Sequence, residues 1–268
     1  MAKTAKQAGL WDPVTLEENV PYRCDFSTLT IWLKRSAEDW YLASRQSDKQ
    51  SAVGPLRAIK GGAFPKDLSF SRWVLGGELS TLRFVPAMPD RSIVVRPALA
   101  LKVPAGKDAL FFVSIPVWVR VTAGSPDGIT LCELPSLTLS NTWFGEPTAG
   151  ELCYGLRTRA VRTLEEIETR VDTAICPITV RNGAPKELNF ERLRVRVGNL
   201  SVYQGPDRLW TNELEVRFQG DEQSSQITIG RGAPEVSGES VMVCEARQQA
   251  DKTLLAQSFS VLRSLTGF

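Results

Sequence analysis

Histidine is missing from all 268 residues of this chain. That absence excludes Ser-His-Asp and Cys-His catalysis, histidine-ligated zinc or haem, and a histidine pH switch. Any catalysis would have to rest on carboxylates, Lys, Tyr, Cys or a bound metal. The chain also has no G-x-x-x-x-G-K-[ST], no G-x-G-x-x-G after a strand and no G-x-S-x-G elbow. Asp127-Gly128 lacks the alternating acidic ligands of a calcium loop. The sequence therefore assigns no catalytic residue, no metal site and no cofactor. Long apolar runs are absent too, and nothing approaches the ~20 residues that a membrane-spanning helix needs. The first residues carry two lysines without an apolar core behind them, unlike a secretory signal. Charge of one sign is also lacking: 32 basic residues meet 30 acidic ones, for a formal net charge of +2. That balance supplies no field for steering onto nucleic acid or an anionic membrane. Cys24, Cys132, Cys153, Cys176 and Cys244 are widely and irregularly spaced, with no C-x-x-C. They read as reduced thiols used as small core hydrophobes, in a cytoplasmic protein with no membrane span.

The residues that are present describe an all-β protein. Composition is ordinary for a globular chain, at 43% hydrophobic and 23% charged. Short runs rich in β-branched and aromatic residues alternate with Gly/Pro turns, which predicts an antiparallel β-sandwich-like architecture. The run ALFFVSIPVWVRV is the most apolar stretch, and Pro116 inside it marks a bulge or an edge. Val119 and Val121 alternate with Arg120 and Thr122, and a turn at Pro126-Asp127-Gly128 leads back through residues 129–134 as a hairpin. Earlier, Leu29, Ile31 and Leu33 alternate with Thr30, Trp32 and Lys34, and residues 39–45 return beside them. Residues 1–20 read as an irregular arm and 46–66 as a long surface loop. Residues 70–75 and 78–85 read as a hairpin across Gly76-Gly77.

Two β parts are expected: 1–165, and an immunoglobulin-like part at 166–268, joined near 163–172. The joining segment opens with Thr163 and Glu166 in capping-box spacing, so a short helix competes there with continued strand. Strands follow at 175–181, 200–203, 213–218 and 226–229. At the C-terminus, 241–246 reads as strand, while 255–262 reads as a short helix or as the second arm of a hairpin.

The segment NTWFGEPTAGE, residues 141–151, is the most unusual polar-aromatic stretch. It joins two strands, and loops on a rigid sheet are where binding residues concentrate. Trp143 and Phe144 could form a platform for a sugar or a partner side chain, with Asn141, Glu146 and Glu151 as hydrogen-bonding groups. The competing reading folds both aromatics inward as core anchors. Arginines form the second candidate. Arg157, Arg159 and Arg162, then Arg192, Arg194 and Arg196, line strand faces and could recognise phosphates or an acidic partner. The competing reading pairs them across strands with Glu213 and Glu215. Glu133, Glu146 and Glu151 could converge as the two carboxyls that glycosidase chemistry requires.

LSNTWFGEPTAGELCYGLRT, with SIPVWVRV and LWTNELEV, resembles a family of uncharacterised prokaryotic proteins, a domain of unknown function first described from archaea. The resemblance implies a prokaryotic cytoplasmic protein and transfers no catalytic residue. The function expected is a non-catalytic interaction module that binds another protein or itself through the 141–151 segment or a sheet edge. The alternative is a sugar- or small-ligand-binding protein, or a carboxylate-based hydrolase, using the same segment.

Overall fold

A computed structural model of the chain describes residues 9–75, 79–124, 128–220, 225–248 and 254–255. The chain is all-β: among the described residues the only helical pieces are single 3₁₀ turns at Leu164–Glu166, Val197–Asn199 and Glu235–Ser237. The strands fall into two compact units that interleave along the chain. One takes residues 1–87 and 117–138, the other 88–116 and 139–268. The expected division at 165/166 falls inside the second unit.

The first unit opens with β1 (Val14–Thr15), β2 (Tyr22–Phe26), β3 (Leu29–Arg35), β4 (Asp39–Gln46), β5 (Gly54–Ala58), β6 (Ser71–Val74) and β7 (Thr81–Ala87). The chain then passes to the second unit for β8 (Ile93–Pro97), β9 (Leu101–Val103) and β10 (Asp108–Pro116). It returns to the first for β11 (Trp118–Ala123) and β12 (Ile129–Pro135). The rest belongs to the second unit: β13 (Ser140–Phe144), β14 (Glu151–Thr158), β15 (Thr173–Asn182), β16 (Leu188–Phe190), β17 (Leu193–Val195), β18 (Val202–Gln204), β19 (Leu209–Thr211), β20 (Leu214–Phe218), β21 (Gln226–Ile229), β22 (Val241–Cys244) and β23 (Leu254–Leu255).

In the first unit, β5-β2-β3-β4-β6 form one sheet and β1-β7-β11-β12 another. Leu29, Ile31 and Leu33 are buried as their alternation predicts. Phe26 from one sheet meets Phe84 from the other edge-on at 5.2 Å, and Trp11 lies 5.8 Å from Phe26. Burying a side chain of this size contributes about 1.5–3 kcal/mol, so this aromatic contact is a main tie between the sheets. Residues 9–20 are irregular and mostly exposed as expected, apart from β1 and the buried anchors Trp11 and Leu16. Within the expected 46–66 loop, residues 54–58 form β5 and pair with β2. β6 pairs with β4, whereas β7 pairs with β1 and β11, so the expected hairpin of 70–75 with 78–85 does not form. Its turn at Gly76-Gly77 lies outside the described residues. The β11–β12 hairpin forms as expected, from Trp118 opposite Pro135 to Ala123 opposite Ile129. Of its turn, Pro126 and Asp127 lie outside the described residues.

In the second unit the pairing is mixed. β15 takes β10 antiparallel over nine residue pairs on one side, and β19 and β20 in parallel on the other. Phe112, Val161, Ile175, Tyr203 and Trp210 form its buried cluster. Pro116 ends β10 and Val117 separates it from β11, so the proline stands where the chain leaves this unit. Thr163 donates to the Glu166 carboxylate at 2.9 Å, but only a single 3₁₀ turn follows. β22 pairs with β18 and β23 with β21. The expected helix or hairpin arm at 256–262 lies outside the described residues. No helix among the described residues is long and apolar enough to cross a membrane.

Candidate functional site

The sequence candidates gather on one small sheet of the second unit, ordered β13-β14-β8-β17. β13 and β14 pair antiparallel, β14 and β8 in parallel, and β8 and β17 antiparallel. Asn141, Trp143 and Phe144 stand on β13 itself, so the connecting loop is shorter than the 141–151 segment and covers residues 145–150. Successive side chains on a strand point to opposite faces. That alternation separates the two aromatics: Phe144 is 5% exposed against Val94 and Cys153, while Trp143 is 49% exposed. Each of the two sequence readings thus applies to one of the pair.

The loop geometry holds Trp143 in place. Its indole Nε1 donates to the Glu146 carbonyl at 3.0 Å. Gly145 takes a φ of 107°, which favours glycine. A Cβ at Gly150 would collide with Trp143 Nε1 and lie 2.6 Å from the Phe144 carbonyl oxygen. Directly across the strand pair, Leu152 opposes Trp143 and is 47% exposed. The result is an apolar pair held on a tight hairpin, on the outermost strand of its sheet.

Glu151 begins β14 and does different work. Its carboxylate meets Arg194 at 3.2 Å and accepts from Cys153 Sγ at 3.4 Å. Burial pushes its carboxyl up. The Ser92 hydrogen bond and the charges of Arg194 and Arg196 outweigh that, and its pKa settles below the ordinary glutamate value. Arg194 also lies 5.2 Å over the Phe144 ring. Glu146 is exposed in the loop and offers its carbonyl to Trp143. Glu133 lies in the other unit, bound to Arg120 at 3.0 Å. Cys153 beneath the hairpin is fully buried, and burial with the Glu151 charge pushes its thiol up to about 12.

The same sheet carries the arginines. Arg192, Arg194 and Arg196 alternate with buried Leu193, Val195 and Val197 as expected. The expected partners are elsewhere, however: Glu215 binds Arg181 and Arg217, and Glu213 accepts from Thr179. Arg157 on β14 is the register partner of Arg96 on β8, and Leu193 that of Val95. Arg192, one residue before β17, continues that register to a position beside Arg96. Arg157, Arg96 and Arg192 make a row across three strands, and Arg159 follows just beyond β14. Together with Pro97, Ala98, Ala100, Thr158 and Glu191 they line a cavity of about 670 Å³. Sequence reasoning missed Arg96, because its neighbour comes from a parallel partner about sixty residues away. Among the described residues no group of three or more Cys, Asp or Glu is placed to hold a metal ion.

The family model described as "Protein of unknown function (DUF432)" matches residues 10–263, and the chain belongs to that family. No curated protein and no solved structure matches the chain.

Proposed function

We propose that this member of the family is a non-catalytic interaction module that takes an extended segment of another protein along the free edge of β13. The observation that carries the reading is Trp143, half exposed on a strand whose outer edge has no partner among the described residues, with half-exposed Leu152 opposite it on β14. An open edge offers unpaired backbone donors and acceptors, and exposed apolar side chains beside it supply specificity. Several other edges are blunted. β5 carries Pro55 and Arg57, β6 carries Arg72, β12 carries Glu133 and Pro135, and β17 carries Arg194. β22 is apolar, but a register shift interrupts its pairing with β18, and bulged edges accept strands poorly. β13, SNTWF, has neither charge nor proline. A hydrolase at this hairpin would need a carboxyl that holds a proton near neutral pH, and Glu151 is shifted the other way. Cys24, Cys132, Cys153 and Cys176 form no disulfide, which fits a reducing, cytoplasmic setting.

Affinity capture from native lysate tests the reading, with wild type, Trp143→Ala/Leu152→Ala and a surface control, Arg217→Ala, as baits. A protein retained by wild type and control, lost with the double variant, and able to slow amide exchange in 140–144 when added back supports strand docking. Identical retention by all three folded baits overturns it.

A further inference from the structure

We propose that the arginine-lined cavity of the second unit binds a small phosphorylated ligand carrying two or more negative charges. The inference does not rest on the strand-docking reading, because no cavity-lining residue belongs to β13, although Arg96 donates to Thr142 on that strand. Four guanidinium groups, from Arg96, Arg157, Arg159 and Arg192, line this space, and Glu191 is the one carboxylate among its walls. None of the four arginines forms an ion pair among the described residues, whereas Arg194 on the same sheet pairs with Glu151.

The placement is costly without an anion. Arg157 and Arg96 are direct register partners, and like charges facing each other across strands destabilise a sheet. Arg96 is fixed as well as charged. Its Nη2 donates to Thr142 Oγ1 at 3.0 Å, and its Nε is buried with no hydrogen-bond partner among the described residues. A held, under-solvated guanidinium keeps its charge and loses little freedom when an anion arrives. The wall between the arginines is built from Pro97, Ala98 and Ala100, which leave room for a ligand to approach. The Ala98 amide donates to the Thr158 carbonyl at 2.9 Å and carries the β8–β14 pairing past Pro97.

Chemistry and size select the ligand class. Guanidinium forks match phosphate oxygens two at a time, which favours phosphate over an isolated carboxylate. A space of about 670 Å³ suits a metabolite or nucleotide rather than a polymer. A nucleic acid would instead need a basic stripe, which a net charge of +2 does not supply.

Calorimetric titration of the full chain with inorganic pyrophosphate, beside sulfate at equal ionic strength, tests the proposal. Wild type is expected to bind pyrophosphate saturably and more tightly than sulfate. Arg157→Ala/Arg192→Ala is expected to weaken binding about a hundredfold, roughly tenfold for each lost charged contact. Arg181→Ala, in the same unit but outside the cavity, is expected to bind as wild type does. Arg157→Lys/Arg192→Lys retains the charge and loses the fork, and must also weaken binding; it serves if the alanine variant fails to fold. Absence of binding by wild type, equal affinity for sulfate, or unchanged affinity in both double variants overturns the proposal.

Discussion

Two sheets, one in each unit, use arginine differently. On the first unit's five-stranded sheet Arg23, Arg57 and Arg72, and Arg45 beside them, each bind a carboxylate. Asp25, 4% exposed, receives Arg23 at 2.8 Å, Arg57 at 2.8 Å and Thr30 at 2.8 Å. Arg23 and Arg45 each cover Trp32 at 5.7 Å, so an aromatic on the outer face is still buried. On the second unit's four-stranded sheet, Arg96, Arg157 and Arg192 stand in a row with no carboxylate bound to them among the described residues. The comparison separates arginine that completes a fold from arginine left available to something else. It also argues against reading every basic strand face as a solvated surface.

The comparison can be broken first at Asp25. Asp25→Ala removes the shared acceptor of three groups and is expected to cost about 2–3 kcal/mol, read as a shift in the urea midpoint. A change below about 0.5 kcal/mol would place Arg23 and Arg57 in the same class as the arginines of the cavity. Gly150→Ala comes next. The added Cβ meets a backbone oxygen as well as an indole, so about 1–2 kcal/mol is expected together with a changed Trp143 environment in near-ultraviolet circular dichroism. Trp143→Ala should cost less than about 1 kcal/mol, because half of that side chain already faces water, while abolishing partner capture. Arg157→Ala sharpens the contrast most. It should leave stability within about 0.5 kcal/mol of wild type or raise it slightly, since it relieves repulsion with Arg96.

A pH titration gives the smallest effect. The folded-state pKa of Glu151 lies below its ordinary value of 4.5. Its contribution to stability is therefore present above that value and is lost as pH falls through the lower folded-state value. Glu151→Gln should flatten this part of the acid limb of a stability–pH curve, and an unchanged limb would remove Glu151 from the account.

Much of the fold was legible where pairing is local. Leu29, Ile31 and Leu33 signalled a half-buried strand by period-two alternation, and β11 and β12 face each other across one short turn. Non-local partners were illegible. Gly54-Pro55 reads as loop punctuation, and only β2, some thirty residues earlier, makes that segment a strand. β7 has the pattern of a strand, but nothing in its residues says that it pairs with β11 rather than β6. The site shows the same division. Period two, applied to SNTWF, would have sent Trp143 outward and Phe144 inward, so the information was present. The meeting of Arg96 with Arg157 was not, because a parallel pair leaves no local trace.

Hydrogen–deuterium exchange of the full chain, alone and with its captured protein partner, tests the central claim most directly, that the second unit's hairpin is the docking edge. The account predicts slowed exchange of the amides in 140–144, with those of β5 and β6 in the first unit unchanged. Slowing confined to the first unit's edges or to β22, with 140–144 unaffected, would contradict it.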